Sequence, residues 1–284
     1  MDYMMDLKFD EEKAGELGCF GTYLFEVFNV RINQKIEVYG TFRVEDEYGT
    51  LDFYNKLPMD CHSVHPNSSL LSLTQPPRLI PAGGTITLSL DLKDKYGIEF
   101  VKGSFTLDLA DEKNADIFNK YRMARIDGNV GSASVYYTLP LVALRSRIEI
   151  QLIKGDKGIG HSDVEGKIVA RYGNDYDNCD DDDEVKPYSW FTLYETTAND
   201  ISLQLKDKDL LPLSRPFVVV PARCFIIIEM DLKFHHSDGD TDHLKGYEIQ
   251  TLACPYDGLF RDIKLNNATL KVSVTFSAEE PCSW

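Results

Sequence analysis

The feature that most constrains this chain is a regular alternation of apolar and polar side chains. In "PARCFIIIEMDLKF" (221–234), an apolar side chain occupies every second position from Ile226 to Phe234. In "PAGGTITLSLDLKD" (81–94), the same holds from Ile86 to Leu92. Period-two alternation is typical of β-strands that have one buried and one solvated face. These segments therefore predict antiparallel sheets.

The same alternation recurs in "IEVYGTFRVED", "RIEIQLIKG", "DVEGKIVARY" and "ATLKVSVTFS", and turn-forming stretches such as "QPPR" and "IDGN" separate the runs. Residues 111–124, "DEKNADIFNKYRMA", are the one segment with weak helical periodicity, and they fit a loop equally well. The uneven strand lengths and connections favour sandwiches over a closed barrel. The predicted class is all-β, with antiparallel β-sandwich architecture and little helix.

The two long alternating segments belong to an internal repeat. Pro81 and Pro221 lie 140 positions apart, and so do the two Asp-Leu-Lys triplets that begin at Asp91 and Asp231. Chance resemblance between strands is the alternative explanation. A shared order of strands together with shared Pro, Asp-Leu-Lys and Lys-Gly residues favours two related copies of one sandwich module.

A Gly-containing strand also appears earlier in each half, which aligns Gly40 with Gly166. The predicted division is an N-terminal tail (1–18), a first module (19–128), a second module (129–278) and a C-terminal tail (279–284).

The composition limits the class of partner. Hydrophobic residues make up 43% of the chain, enough to form a core, and no apolar run reaches the roughly 20 residues of a membrane helix. The first ten residues contain three acidic side chains, which argues against a signal peptide and predicts an intracellular protein, cytoplasmic or nuclear. The net charge of −16 argues against binding to nucleic acid or anionic lipid and suits a basic protein partner, whereas it is the lack of a long apolar run that argues against membrane insertion.

The six cysteines are far apart and include no Cys-x-x-Cys pair, so free thiols are expected in preference to disulfides. No cofactor is predicted. There is no Gly-x-Ser-x-Gly motif, and the glycine-rich "GDKGIG" (155–160) lacks a following helix to bind phosphate. Cys61 and His62 are sequence neighbours, and adjacent side chains on a strand point to opposite faces, so they do not form a simple catalytic dyad.

The segment "FHHSDGDTDH" (234–243) is the most chemically suggestive one, because it could ligate Zn²⁺ or Ca²⁺. A solvated hairpin tip is the favoured interpretation, since a calcium loop would need Gly where His243 stands and would lie between helices. The candidate metal ligands are His235, His236, Asp238, Asp240, Asp242 and His243.

Two other groups of residues could bind ligands. "NDYDNCDDDDE" (174–184) could hold cations weakly or meet a basic partner, although a solvated surface loop is the favoured interpretation because close like charges repel and stay hydrated. Aromatic side chains could line a groove, or they could be buried in strands. These aromatic residues are Tyr23, Tyr39, Tyr54, Tyr136, Tyr188 and Trp190. The candidate binding surfaces are the loops at the module ends and the crevice between the modules.

Several stretches in the same order resemble a grass-lineage family that is known as a domain of unknown function. They include "IEVYGTFRVED", "SLTQPPRLIP", "VEGKIVARY" and the closing "ATLKVSVTFS", and they extend from about Phe25 to Ser277. The family also forms the C-terminal part of cereal jasmonate-induced ribosome-inactivating proteins. The chain departs from the family pattern at Glu45-Asp46 and at Gln75-Pro76-Pro77-Arg78. The resemblance implies a plant protein linked to stress or defence.

The glycosidase of the fused relatives uses a Glu and an Arg on one helix, as in Glu-Ala-x-Arg. Here "MAR" (123–125) and "PAR" (221–223) have no Glu three residues before the Arg. The sequence therefore predicts a non-catalytic plant protein that acts through protein–protein interaction, with a glycosidase domain bound in trans as one possible partner. A carbohydrate- or Ca²⁺-dependent ligand-binding sandwich is the alternative, and an enzyme of unrecognised type is a third.

Overall fold

The computed structural model describes residues 23–64, 70–109, 117–154, 162–173, 189–196, 203–237, 239–253, 258–266 and 268–277. These residues form strands throughout, with one turn of 3-10 helix at Pro58–Asp60. The strands are β1 (Leu24–Ile32), β2 (Ile36–Asp46), β3 (Gly49–Lys56), β4 (His62–Val64), β5 (Ile80–Pro81), β6 (Thr85–Asp94), β7 (Glu99–Asp108), β8 (Tyr121–Asp127), β9 (Ser132–Thr138), β10 (Ala143–Lys154), β11 (Ser162–Tyr172), β12 (Trp190–Thr196), β13 (Leu203–Leu205), β14 (Phe217–Pro221), β15 (Phe225–His236), β16 (Thr241–Leu252), β17 (Gly258–Lys264) and β18 (Ala268–Ser277).

The strands form four antiparallel sheets that repeat after nine strands. The first nine make one sheet in the order β3-β2-β6-β7, with β4 beside β2, and a second in the order β5-β1-β9-β8. The last nine make β12-β11-β15-β16, with β13 beside β11, and β14-β10-β18-β17. Adding nine to each strand number converts the first pair of sheets into the second. The predicted all-β fold of two related sandwich modules is confirmed, and we call them module 1 (β1–β9) and module 2 (β10–β18).

The strand pairing locates the division between the modules. The predicted division after residue 128 falls before β9, yet β9 pairs with β1 and β8 in module 1. The Asp-Gly turn at 127–128 connects two strands of one hairpin. The pairing therefore favours a division at residues 139–142. The predicted tails, 1–18 and 279–284, lie outside the described residues. The later part of the ambiguous segment 111–124 enters β8.

The glycines aligned by the repeat have the same structural role in both modules. Gly40 and Gly166 have φ of +124° and +127°, which L side chains rarely adopt. A Cβ atom at either position would lie 2.1 Å from the carbonyl oxygen of Asp91 or Asp231 on the neighbouring strand. The repeated Gly and Asp-Leu-Lys residues thus mark one close contact between strands, made once in each module.

The two modules share an aromatic contact. Phe28 of β1 lies in the core of module 2, with ring centroids 4.8 Å from Phe191 and 5.5 Å from Tyr172. Tyr121 of β8 packs at the edge of the Phe28 ring, 5.4 Å away. Tyr136 of β9 also belongs to this core, and Leu24 of β1 forms a small cluster with Ala143 and Val219 of module 2, while the rest of each module has its own core between its two sheets. The modules are therefore joined by buried side chains as well as by the connecting chain.

A buried ion pair joins the modules beside this aromatic contact. Arg215 of module 2 is 1% exposed and pairs with Glu26 of β1, which is 6% exposed. The guanidinium also donates to the carbonyl oxygen of Val27 at 2.7 Å, and the amide of Val219 donates to Glu26 at 2.8 Å. Burial raises the pKa of Glu26, and the charge of Arg215 opposes that rise. Because a buried charge needs its partner, this pair favours one arrangement of the modules.

Candidate functional site

Four connections lie at or near one end of module 1: residues 33–35, 57–61, 95–98 and 128–131. The amide of Lys95 donates to the carbonyl oxygen of Glu37, which ties the β6–β7 turn to the start of β2. The amide of Gly131 donates to Phe100, which brings the β8–β9 turn beside the start of β7. These bonds place three of the connections at the end of the module, and residues 57–61 lie near them at the sheet edge, between β3 and β4, which both pair with β2.

Large apolar side chains project from this surface. Met59 is 85% exposed and Tyr96 is 79% exposed, and three more apolar side chains from the same connections are more than half exposed. Such a concentration of exposed apolar groups is typical of an interaction surface. We call this surface the apolar end, and it consists of Leu57, Met59, Tyr96, Ile98 and Val130.

The β6–β7 turn presents its side chains from a hydrogen-bonded frame. Asp94 Oδ1 accepts from the amides of Tyr96 at 2.9 Å and Ile98 at 2.8 Å. Lys95 forms an ion pair with Glu37 at 2.5 Å, and this contact raises the pKa of Lys95. The Lys95 ammonium also lies 5.4 Å from the centroid of the Tyr96 ring. Tyr96 and Ile98 are therefore held outward by bonds to the turn itself.

A cleft of about 410 Å³ opens beside Tyr96. Val64 is buried and Ile36 is half-buried, so part of its lining is apolar. Charged groups form the rest, including Lys35, which makes no ion pair or hydrogen bond with the described residues. The cleft can thus receive an apolar group beside a positive charge.

Two of the six predicted metal ligands lie together, inside module 2. Ser162 Oγ is 2.8 Å from His236 Nδ1, and His236 Nε2 is 3.0 Å from Asp242 Oδ2. The amide of Asn266 donates to Asp242 Oδ1. Serine, histidine and aspartate are the groups of a hydrolase triad, but this serine has no exposed surface for a substrate. The network instead links β11, the β15–β16 hairpin and the β17–β18 turn.

The remaining predicted ligands are spread over the outer face. His235 lies 3.3 Å from Glu165, and His243 lies 3.2 Å from Asp231. The hydrogen bond from His235 lowers the pKa of Glu165. Asp240 is exposed, and Asp238 lies outside the described residues. Alternation along the strands thus separates the exposed histidines from His236 and Asp242. No three His, Cys, Asp or Glu side chains in the described ranges could hold a metal ion, and with Asp238 outside them the metal site stays a prediction.

The crevice between the modules contains a smaller cleft of about 250 Å³. Ser72 and Leu73 of module 1 line one side, and Thr192 and Ser214 of module 2 line the other. The Ser214 hydroxyl donates to the carbonyl oxygen of Leu193. This cleft offers hydroxyl groups around an apolar side chain.

The other predicted residues are dispersed. Tyr54 and Tyr136 are buried, Tyr39 and Trp190 are half-buried, and Tyr23 is exposed. Tyr188 and the segments 155–160 and 174–184 lie outside the described residues.

Cys61 and His62 form no dyad: the Cys61 thiol donates to the carbonyl oxygen of Pro58, and His62 Nε2 lies 3.1 Å from that of Leu70. Cys61 and Cys224 are free thiols. No described helix is long and apolar enough to cross a membrane.

The sequence analysis missed the apolar end. Its signal is the presence of large apolar residues inside turns, as in "KLPMDC" (56–61) and "DKYGIEF" (94–100). Turns between strands are usually polar, and an apolar turn residue has no strand face on which to be buried. Pattern analysis of strands therefore passes over these residues.

Solved structures with some likeness to the chain are distant. Human GIVD cytosolic phospholipase A2 is 9% identical with a TM-score of 0.27, and the match covers 91% of this chain and 31% of that one. The chain thus spans about a third of the phospholipase chain. A structure of two C2-type domains of Extended-Synaptotagmin 2 is 8% identical with a TM-score of 0.28, covering 99% and 97%. TM-scores this low do not establish a shared fold, and we carry nothing over from either protein.

Sequence comparison gives a clearer result. No curated protein sequence matches the chain. The model of the family described as "Domain of unknown function (DUF6598)" matches residues 24–274, which extend from the first residue of β1 into β18. The match covers both modules, and the chain therefore belongs to the DUF6598 family.

Proposed function

We propose that this chain is a non-catalytic binding protein that contacts another protein through the apolar end of module 1. The observation that carries the proposal is the exposure of Leu57, Met59, Tyr96, Ile98 and Val130 on one surface. Exposing these side chains to water costs free energy that burial against a partner recovers, about 25 cal/mol for each Å² of apolar surface. A partner that covers the apolar end would therefore gain affinity from burying several of these five side chains.

The absence of enzymatic activity is part of the proposal. The Ser162–His236–Asp242 network is buried and has no solvent-exposed nucleophile. The glycosidase pattern of the fused relatives is missing from "MAR" and "PAR". We propose in addition that the protein acts inside plant cells, in the cytoplasm or nucleus, in stress or defence. The resemblance to the jasmonate-induced proteins supports this setting and a glycosidase domain as a partner in trans.

Two strongly acidic segments of the chain could attract a basic partner. Residues 1–22 contain six acidic side chains and two lysines, and residues 174–188 contain seven acidic side chains and one lysine. A large share of the net charge of −16 thus comes from these two segments. Basic groups of a partner would meet these segments, while its apolar groups would meet the apolar end.

A carbohydrate-binding function is the second candidate. It is favoured by the cleft between the modules, which is lined by the hydroxyl-bearing residues Ser72, Thr192 and Ser214 together with Leu73. A Ca²⁺-dependent version would involve the 234–243 hairpin. Glycan-array binding tests the first version. Thermal melts with Ca²⁺, Zn²⁺ and EDTA test the second, because a bound metal must raise the stability of the native state.

Affinity capture with matched variants tests the leading proposal. Plant extract is passed over the wild-type protein, over a Leu57→Ser/Met59→Ser/Tyr96→Ser/Ile98→Ser variant, and over a Met123→Ser/Phe260→Ser control. The control removes apolar side chains that are also exposed but lie elsewhere. Proteins retained by the wild type and the control are then produced pure, and their binding is measured by calorimetry. We expect the apolar-end variant to bind about tenfold more weakly or worse, and equal binding by all three proteins would contradict the proposal.

A further inference from the structure

The chemistry of the partner at the apolar end can be inferred from the cleft beside Tyr96, and this inference rests on the proposed function. The cleft volume of about 410 Å³ is within the range of about 300–1,000 Å³ that small-molecule sites occupy. Its lining combines buried Val64 and half-buried Ile36 with a charged rim. It is therefore large enough to receive a side chain of a partner.

Both acidic side chains of the rim are already bonded. Glu37 pairs with Lys95 at 2.5 Å and accepts from the Ser63 hydroxyl. Asp94 accepts from the two amides of the turn. These carboxylates hold the turn in shape, and they have less capacity left for a positively charged ligand.

The remaining cation of the rim is Lys35. It is exposed, it lines the cleft, and it forms no ion pair or hydrogen bond with the described residues. An ammonium beside an apolar surface attracts a carboxylate, and this charge complementarity selects between partners more than it adds affinity. The two lysines and two carboxylates of the lining balance in charge, and Lys35 is the one of these four side chains that makes no ion pair or hydrogen bond with the described residues.

We propose that the partner inserts a segment with an apolar side chain next to a carboxylate, with the apolar side chain in the cleft and the carboxylate at Lys35. The carboxylate belongs to an Asp, a Glu or a C-terminus. Tyr96 and Ile98 cover the apolar part of the segment from one side.

Three short probes test this chemistry: N-acetyl-Phe-Asp-amide, N-acetyl-Phe-Asn-amide and N-acetyl-Phe-Lys-amide. Each is titrated into the ¹⁵N-labelled full chain, and the amide shifts of Ile36, Glu37 and Tyr96 are followed by NMR. We expect the Asp probe to bind about two- to fivefold more tightly than the Asn probe, the effect of one exposed ion pair. The Lys probe should bind most weakly.

Charge reversal provides the matched control. Lys35→Glu should make the Lys probe the tightest of the three, whereas Lys264→Glu, on an exposed lysine of β17, should leave the order unchanged. Equal affinities of the Asp and Asn probes, or an order that Lys35→Glu does not alter, would overturn the inference. Sedimentation with phosphatidylcholine vesicles that is lost on Tyr96→Ser, without probe binding, would also overturn it and identify a lipid surface instead.

The outcome separates this inference from the function on which it rests. If extract capture depends on the apolar end while the probes do not distinguish charge, the binding function stands and the partner chemistry is wrong. If the probes behave as expected while capture ignores the apolar end, the cleft chemistry is supported and the proposed function is wrong.

Discussion

Strands β1 and β10 occupy equivalent places in the two modules, yet their surroundings differ. Val30 and Ile150 accept hydrogen bonds from the equivalent amides of Leu71 and Leu211, and this aligns the strands. Counted along the partner strands, which carry no extra residue, Glu26 opposite Thr138 of β9 corresponds to Arg147 opposite Thr275 of β18. Glu26 is buried in an ion pair with module 2, whereas Arg147 is exposed and pairs with the half-buried Glu149 on its own strand.

A β-bulge adds to this difference. The pairing of β1 with β9 shifts between Val27 and Asn29, so Phe28 is an extra residue. The pairing of β10 with β18 runs without a shift from Arg145 to Lys154. The bulge places Phe28 in the core of module 2. A few substitutions and one added residue therefore distinguish β1, which packs against the other module, from the equivalent strand β10.

The largest expected effect tests the difference between Glu26 and Arg147. Glu26→Ala leaves Arg215 as an unpaired buried charge, so we expect a loss of about 3–5 kcal/mol in the free energy of unfolding. Arg147→Ala removes an exposed pair and should cost at most about 1 kcal/mol. Urea denaturation of both variants measures these losses. Similar losses of stability in the two variants would contradict the difference between the surroundings of Glu26 and those of Arg147.

The repeated glycines test what the modules have in common. Gly40→Ala and Gly166→Ala each force a Cβ atom against a carbonyl oxygen 2.1 Å away, and we expect each to lose about 3 kcal/mol or more. Gly49→Ala is the control, because Gly49 has φ of +115° with no atom within 4 Å of an added Cβ. It should lose only about 1–2 kcal/mol. Denaturation curves measure these losses in the free energy of unfolding. Strongly different losses for Gly40→Ala and Gly166→Ala would contradict an equivalent role of the two glycines.

The equivalent turns at the ends of the modules provide a third test. In module 2 the hairpin is held by the buried His236–Asp242 bond, and His236→Ala should cost about 2–3 kcal/mol because Asp242 loses a partner inside the protein. In module 1 the turn is held by Asp94, and Asp94→Ala should cost about 1 kcal/mol, because water can satisfy the freed amides. Thermal melts of the two variants compare them. A larger loss of stability for Asp94→Ala would contradict the prediction that the His236–Asp242 bond stabilises the protein more than the Asp94 bonds do.

The smallest effect on stability is expected at the apolar end. Met59→Ser and Tyr96→Ser should change the free energy of unfolding by less than about 0.5 kcal/mol, since both side chains are exposed. The same substitutions should weaken partner binding. A marked loss of stability in denaturation experiments would show that these side chains pack against the protein itself.

The fold could be predicted from the sequence because alternation and repeat order are local patterns. Asp91-Leu92-Lys93 and its counterpart marked equivalent strands, and Gly40 was aligned correctly with Gly166. Long-range pairing was harder to predict. The Asp127-Gly128 turn gave no sign that the next strand returns to module 1.

The candidate site could be predicted only in part. The 234–243 segment was identified from its residue types, but strand alternation buries His236 and exposes His235. The buried pairing of Glu26 with Arg215 joins residues 189 positions apart, and no local pattern indicates it. The apolar end depends on four connections that lie near one end of module 1, and this proximity follows from the topology alone.

A double-mutant cycle on Glu26 and Arg215 tests most directly whether module 2 covers the β1 face of module 1. The free energies of unfolding of Glu26→Ala, Arg215→Ala and the double variant are compared with that of the wild type. We expect the double variant to lose at least about 2 kcal/mol less than the sum of the single losses, because the two side chains share one buried contact. Losses that add to within about 0.5 kcal/mol would contradict the described junction of the modules.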